Sequence, residues 1–330
     1  MDVKFLKDVL SVPTISSNET MMRDYIVEFA HDNDIEYILD KKGNVYLTKG
    51  SEKMTSGEYY PCVVSHIDTV HRSQIDLIEQ KTRLDIVENV DGNLIAYNPI
   101  TGLQTGVGGD DKCGVFVCLS LFLEMDVLKG AFFVEEEIGM LGSKEADVEF
   151  FENVGYAIQF DAPSANWITE VCSGVKIFDD EFKGNIKTVL SEGGYTKFSN
   201  DPFTDVNQLA QKFNFNCLNL GCGYYEQHRD TEYVVIDEVK KALRMGIKLI
   251  HHLGINDYER KDKEISDNFG DAYGYDWEED DFDVDLFYSD DNDERANKIV
   301  ESVVDMYESG YSKDDIKLYI SELLSLEDYG

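Results

Sequence analysis

The chain has 330 residues, of which 42% are hydrophobic, and this is enough for one large domain with an appendage or for two domains. Its 66 acidic residues outnumber its 30 Lys and Arg residues, which gives a formal net charge of −36. So acidic a surface repels phosphate backbones and excludes nucleic acid as a partner. No apolar segment approaches the roughly 18 residues of a membrane span. The N-terminus has no signal-peptide pattern.

The six cysteines argue for a reducing compartment. None of them forms a Cys-x-x-Cys pair, so a zinc ribbon or a redox dithiol is not expected. Most stand inside or beside apolar runs, which is typical of reduced, buried cysteines. Together with the missing targeting signals, this pattern predicts a cytoplasmic protein.

The hydrophobic pattern up to residue 255 predicts helices that alternate with strands. Apolar side chains recur at three-to-four spacing in the helices, and short apolar runs mark the strands. In chain order the prediction is helices 2–10 and 18–30, strands 35–39, 44–48 and 60–65, hairpin 84–87 with 94–97, helix 112–123, strands 131–134 and 154–160, strand or helix edges at 176–182 and 186–190, helix 205–213, strand 216–220 and helix 234–253. This order predicts an α/β fold with a mainly parallel, mixed sheet.

The composition changes after residue 255. Residues 256–293 are packed with Asp and Glu, interleaved with aromatic side chains. Like charges in such a block stay solvated, and the aromatic residues suit docking of a basic partner. Residues 294–330 have the pattern of two short amphipathic helices. The chain is therefore expected to consist of a domain over 1–255, an acidic segment and a small helical tail.

Several residues that can bind metal ions are found immediately after predicted strands or after a glycine-rich turn. Side chains at the carboxyl ends of strands converge on one edge of an α/β sheet, where ligands bind. Oxygen and imidazole donors gathered there are typical of a two-metal hydrolytic site. The five stretches are His66-Ile67-Asp68, Asp110-Asp111-Lys112, Glu135-Glu136-Glu137, Asp161 and His228.

The first two stretches each have a functional and a plain interpretation. His66 and Asp68 point the same way at strand spacing, so His66 can bind a metal while Asp68 fixes its tautomer. The alternative is a histidine with a chance acidic neighbour. Asp110 is the candidate for a carboxylate that bridges two metals. Asp111 is suited to capping the helix that follows.

The remaining stretches leave similar alternatives. Three adjacent carboxylates at 135–137 repel one another, so the pKa of one should rise, and a glutamate of raised pKa is a good general base. The alternative is an exposed acidic turn. Asp161 is either a ligand or a turn former, and His228 is either a ligand or a surface histidine.

Taken in order, these motifs resemble those of the co-catalytic di-zinc exopeptidases. The likeness is strongest to the tripeptidase T branch and its aminopeptidase and carboxypeptidase relatives, and it spans residues 1–253. It rests on five segments: FLKDVLSVPTIS (5–16), SHIDTV (65–70), GVGGDDKCG (106–114), EEEIG (135–139) and GCGYYEQHRDTEYV (221–234).

The resemblance implies a three-layer α/β/α catalytic domain that holds two divalent metal ions, with zinc expected and cobalt or manganese as alternatives. It further implies that Asp68 orients His66, that Glu136 is the base for a metal-bridged water, and that the Asp110–Asp111 peptide bond is cis. The implied ligands are His66, Asp110 and Asp161 for one metal, and Asp110, Glu137 and His228 for the other.

The chain departs from the family pattern in two places. Residues 162–227 are too few for the lid domain that many relatives insert there, so the substrate contacts of a lid are unassigned. Arg229, Asn166 and His71 are the candidates for that role. Ala162-Pro163 also replaces a glycine that relatives usually carry.

The function that follows is a metallo-exopeptidase acting on short peptides, with an acidic field that favours a free amino end. One alternative is an amidohydrolase that deacylates N-acyl amino acids. Another is a non-catalytic binding protein that kept the peptidase fold. A calcium buffer is disfavoured because Asp-rich stretches such as 280–285 lack the spaced loop with its central glycine. The cleaved end, the metal and the oligomeric state stay open.

Overall fold

The computed structural model describes residues 2–261 except 173 and 202. Its helices are α1 Val3–Leu10, α2 Thr20–Asp32, α3 Ile75–Glu79, α4 Gly109–Glu124, α5 Leu141–Lys144, α6 Val148–Phe151, α7 Asp180–Glu192, α8 Asp205–Lys212 and α9 Ile236–Leu253. Its strands are β1 Glu36–Leu39, β2 Val45–Lys49, β3 Tyr60–His66, β4 Asp85–Glu88, β5 Leu94–Tyr97, β6 Gln104–Thr105, β7 Leu128–Phe133, β8 Val154–Ala162, β9 Trp167–Cys172, β10 Val175–Lys176, β11 Lys197–Asp201, β12 Asn216–Gly221, β13 Tyr224–Tyr225 and β14 Tyr233–Val234.

A nine-stranded mixed sheet forms the centre of the described chain, in the order β1-β2-β7-β3-β8-β12-β9-β10 with β11 beside β9. The strands β7, β3, β8 and β12 run parallel to one another. At both margins the pairing becomes antiparallel, between β2 and β7 and between β12 and β9. The parallel centre agrees with the buried, near-continuous apolar runs of these strands.

Helices cover both faces of this sheet. Adjacent residues of a strand point to opposite faces, and in β8 the Gln159 amide donates to Asp205 at the start of α8. The next side chain, Phe160, contacts Gly246 of α9. The nearly all-apolar helix α4 packs on β3 and β8 and also contacts α1 and α9. This arrangement is a three-layer α/β/α fold, which confirms the expected fold class.

A second, smaller antiparallel sheet comprises β13, β14, β5, β4 and β6. The predicted hairpin of β4 and β5 is confirmed. The short strands β13 and β14 were not expected from the sequence, and β14 joins the hairpin through the pair Val234 and Leu94. The chain from 226 to 232 is therefore a loop between two paired strands, and it carries His228.

The segment 176–190, for which strand or helix edges were expected, is occupied mainly by the helix α7. Asp179 caps α7 by accepting a hydrogen bond from the Phe182 amide at 2.8 Å, which fixes where the helix begins. The strands β9 and β11 were missed because neither carries a long apolar run. Residues 162–227, apart from 173 and 202, add β9 to β12 to the main sheet, with α7 and α8 between them.

The described chain continues past the expected domain boundary at 255. Tyr258 and Arg260 hydrogen-bond to the backbone of Gly155 and Asn214, so residues up to 261 pack on the domain. The rest of the acidic segment 256–293 and the helical tail 294–330 lie outside the described residues. Within the described part, every helix is too short or too polar to cross a bilayer. All six cysteines are free and buried, as predicted.

Replacing Phe160 by alanine is expected to lower the free energy of unfolding by about 3–5 kcal/mol. The ring is fully buried between β8 and α9, so its loss leaves a cavity that the rigid sheet cannot close. Denaturant unfolding measures the change. The matched control is Phe203→Ala, because Phe203 is 64% exposed and its loss should cost no more than about 0.5 kcal/mol. Equal effects of both substitutions would contradict this packing.

Candidate metal centre

The predicted metal ligands come from five separate segments that meet at one edge of the main sheet. His66 is the last residue of β3, and Asp161 lies near the end of the neighbouring parallel strand β8. Glu137 follows β7, on the other side of β3. Asp110 stands at the start of α4, and His228 lies in the loop between β13 and β14. The carboxyl ends of parallel strands share an edge, which explains the convergence of the first three.

Asp110 stands between two groups of side chains. Its Oδ1 lies 3.1 Å from Nε2 of His66, and that same nitrogen is 3.7 Å from Oδ1 of Asp161. Its Oδ2 lies 3.4 Å from Nε2 of His228, which is 3.1 Å from Oε2 of Glu137. One carboxylate therefore presents one oxygen to each group, as a bridging ligand must. The structure brings together all five residues predicted as ligands.

Asp111 has a different environment, although its carboxylate also lies close to His66 and Asp161. It accepts a hydrogen bond from the Ser65 hydroxyl at 2.6 Å and another from the Gly114 amide at 3.0 Å. The second bond is the expected cap of the helix, whose regular backbone begins only after Asp111. The peptide bond between Asp110 and Asp111 is cis, as the sequence resemblance implied.

Asp68 is fully buried and organises two segments at once. Its Oδ1 lies 3.3 Å from Nδ1 of His66, whose Nε2 faces Asp110. The same carboxylate accepts hydrogen bonds from the amides of Glu136 at 3.0 Å and Glu137 at 3.2 Å. Asp68 therefore fixes the His66 ring and also the backbone of the two glutamates. The sequence analysis anticipated only the first of these contacts.

Burial and mutual repulsion shift the pKa values of these carboxylates. Burial, followed by the charge of Asp110, raises the pKa of Glu137 to about 7. The pKa of Glu136 is raised well above its usual range, chiefly by burial. Burial also raises the pKa of Asp161, with Asp110 adding to the shift. A positive charge placed among these groups would therefore favour their ionised forms.

The histidines respond to the same carboxylates. Hydrogen bonds to Asp110 and Glu137 raise the pKa of His228 to about 11. For His66, burial lowers the pKa, but hydrogen bonds to Asp110, Asp161 and other carboxylates outweigh it and leave the pKa well above its usual range. The neighbouring carboxylates therefore favour the protonated form of both imidazoles. Metal binding to these rings should release their protons.

The donor set fits two divalent cations. Buried Oε1 of Glu137 has no hydrogen-bond partner among the described residues, as expected of an oxygen that binds an ion. None of the ion pairs in the described part of the chain joins Asp110, Glu136, Glu137 or Asp161 to lysine or arginine. Two imidazoles with several carboxylate oxygens are a donor set that zinc accepts.

The site opens to solvent on one side. The side chain of His228 is 50% exposed, whereas those of Asp110 and Glu137 are 13% and 7% exposed and that of His66 only 1%. Glu136 is 8% exposed as a residue. Solvent therefore reaches the cluster at His228, while the other side chains are largely buried, which strengthens the electrostatic interactions between them.

The three candidates for substrate contacts differ in position. Arg229 is largely exposed and pairs with Glu226 at 3.1 Å. Asn166 accepts a hydrogen bond from the Ser164 hydroxyl. His71 is buried, and its Nε2 lies 2.8 Å from Oε2 of Glu232. A buried carboxylate therefore holds the His71 ring in place.

The sequence analysis missed two residues beside the candidate ligands. The Tyr224 hydroxyl donates to Oδ1 of Asp161 at 3.2 Å. Glu232 is fully buried and contacts the turn before Asp110. Both stand within four residues of His228 in the sequence, so closer attention to that polar segment would have found them.

Known structures share this architecture, although no protein-family model and no curated protein matches the chain. An aminopeptidase from Bacillus cereus superposes with a TM-score of 0.62 at 14% identity, covering 76% of this chain and 97% of that one. A tripeptidase from Staphylococcus aureus superposes with a TM-score of 0.58 at 12% identity, covering 75% of this chain and 96% of that one. A TET aminopeptidase from a marine sediment thaumarchaeon has a TM-score of 0.57 at 11% identity, and the superposition covers 81% of this chain and 99% of that one.

The class that the fold defines is therefore that of three-layer α/β/α domains such as those of these aminopeptidase and tripeptidase structures. Within that class, the bacterial aminopeptidase and the tripeptidase are proteins of the kind that the sequence motifs resemble. At these identities the comparison shows the fold, and the expected fold is confirmed.

Proposed function

We propose that this protein is a metal-dependent exopeptidase that hydrolyses short peptides. The observation that carries the proposal is the position of Asp110, whose two carboxylate oxygens face two separate groups of ligands. One metal would be held by His66, Asp110 and Asp161, and the other by Asp110, Glu137 and His228. Zinc is the expected metal, with cobalt and manganese as alternatives.

Two divalent ions supply Lewis acidity that polarises a scissile carbonyl and makes water acidic. The protein's own groups supply proton transfer and orientation. Glu136 takes the proton of the attacking water and passes it to the leaving amine. Its carboxyl is buried beside the proposed ligands, where it can accept a proton and then donate it. Asp68 holds the Glu136 backbone and the His66 ring in place.

Removing the metal ions is expected to abolish peptide hydrolysis. The full-length protein, treated with a chelator, should lose cleavage of unblocked di- and tripeptides, and zinc, cobalt or manganese should restore it. Metal analysis of the active protein should find about two ions per chain. Hydrolysis that proceeds at the same rate with and without the chelator would overturn the proposed function.

A free amino end on the substrate is expected to favour cleavage. The formal net charge of −36 and the cluster of carboxylates create a field that attracts an ammonium group. Rates on a free tripeptide and on its N-acetylated form measure the preference, and an amidated tripeptide controls for the other end. Faster cleavage of the acetylated peptide would instead favour deacylation of N-acyl amino acids.

A further inference from the structure

Glu232 is a buried acidic residue that the proposed mechanism does not use. It stands four residues after His228, in the same loop between β13 and β14, and it is fully buried. Burying a carboxylate is unfavourable unless its oxygens find hydrogen-bond partners. Its contacts should therefore show what this charge does in the fold.

All of the recorded contacts of the Glu232 carboxylate join it to the edge of the metal centre. Oε2 accepts a hydrogen bond from the Gly108 amide at 2.6 Å and lies 2.8 Å from Nε2 of His71. Oε1 accepts a hydrogen bond from the Asp110 amide at 3.1 Å. The side chain thus binds two amides of the turn that ends at the bridging carboxylate.

This arrangement connects the two loops that carry Asp110 and His228. The His228 side chain is half-exposed, and the positive φ of 64° at this residue is uncommon for a side chain other than glycine. The Glu232 side chain anchors this loop, because it accepts hydrogen bonds from the amides of Gly108 and Asp110. An ion held by Asp110, Glu137 and His228 would depend on the distance between these loops.

We propose that Glu232 is a positioning residue that sets the place of Asp110 relative to His228, and so the affinity of the site for the ion between them. This inference rests on the proposed two-metal function. It adds a residue outside the ligand set, which acts through the backbone of the bridging carboxylate.

The packing around His71 and Glu232 allows little adjustment. A side chain at Gly106 would collide with the His71 ring, so the turn, the imidazole and the carboxylate fit together as one unit. Glutamate supplies two acceptor oxygens to the two amides and the imidazole. Glutamine keeps the shape but offers one acceptor and an NH₂ group, which cannot accept from an amide. Glu232→Gln therefore removes a contact without creating a cavity.

The experiment is a titration of the full-length, chelator-stripped protein with Co²⁺, followed by its visible absorption and by the amount bound. Wild type should bind about two ions. Glu232→Gln should weaken one of them by about 10–100-fold, as is usual for residues that orient ligands, and change the cobalt spectrum. Glu232→Asp, whose carboxylate is retracted, should weaken it less and provides a second variant if the glutamine form does not fold.

Asp179→Asn is the matched control. Asp179 is also a buried carboxylate that accepts from two amides, those of Phe182 and Lys261, but it lies beside Asn216 at the opposite end of β12 from the metal centre. This variant should lose a similar free energy of unfolding and bind Co²⁺ as wild type does.

Wild-type affinity and spectrum in a folded Glu232 variant would overturn the inference and leave the proposed function standing. Co²⁺ binding by wild type without peptide hydrolysis would overturn the function but not the inference. A wild-type chain that binds no Co²⁺, Zn²⁺ or Mn²⁺ overturns both.

Discussion

Glu136→Gln is expected to lower the turnover of a free tripeptide by about 10²–10⁴-fold, the contribution of a general base. Glutamine has nearly the same shape but cannot take a proton from water. The backbone amide of residue 136 donates to Asp68 at 3.0 Å and is unaffected by the change. The backbone of the neighbouring residue Glu137, a proposed ligand, should therefore stay in place. Metal content should therefore equal that of wild type, and KM should change much less than kcat.

The adjacent glutamate provides the control for this experiment. Glu135 accepts a hydrogen bond from the Ser17 hydroxyl and forms an ion pair with Lys42, so its carboxylate is engaged outside the ligand cluster. Glu135→Gln should keep turnover within a few-fold of wild type. Equal turnover of the Glu136 variant and wild type would remove the proposed base, and a loss of metal would assign Glu136 to binding instead.

Asp110→Asn is expected to impair both metal positions at once. The carboxylate faces His66 through one oxygen and His228 through the other, and an amide cannot bridge two cations with equal strength. The two ions contribute several kcal/mol of transition-state stabilisation, so turnover should fall by about 10³-fold or more. Metal analysis should find well under the roughly two ions expected of wild type.

Ligands that serve one position provide the comparison. Asp161→Asn and His228→Gln should each weaken a single ion, because each side chain belongs to one of the two groups. In the metal-free protein, Asp110→Asn should also lower the pKa of His228 from about 11, since the hydrogen bond to Asp110 is the largest cause of that shift. An Asp110→Asn variant that keeps two tightly bound ions would contradict the bridging role of Asp110.

The sequence points to the ligand candidates because their motifs are local. These candidates, His66, Asp110, Glu137 and Asp161, lie at or just after the end of a buried strand or after a glycine-rich turn. That position places their side chains at one edge of a parallel sheet. The central strands and the helix α4 were equally predictable, because elements that are buried on all sides have continuous apolar runs in the sequence. The fold class and the central elements were therefore predictable from composition, periodicity and motif order.

The marginal elements were not predictable. The strands β9 and β11 lie at the side of the sheet, where fewer positions must be apolar, so their pattern is weak. The two-residue strands β13 and β14 have no pattern of their own at all. They exist because β14 pairs with the hairpin of β4 and β5, far away in the sequence.

The sequence by itself determined which side chains are available to bind metals and the layered fold that carries most of them. Only the tertiary structure decided how the loop of His228 reaches Asp110, and that Glu232 holds the turn before it. Side-chain contacts between segments more than a hundred residues apart leave no periodic signal in the chain. They follow from the packing of the small sheet against α4, which determines which buried donors each acceptor can reach.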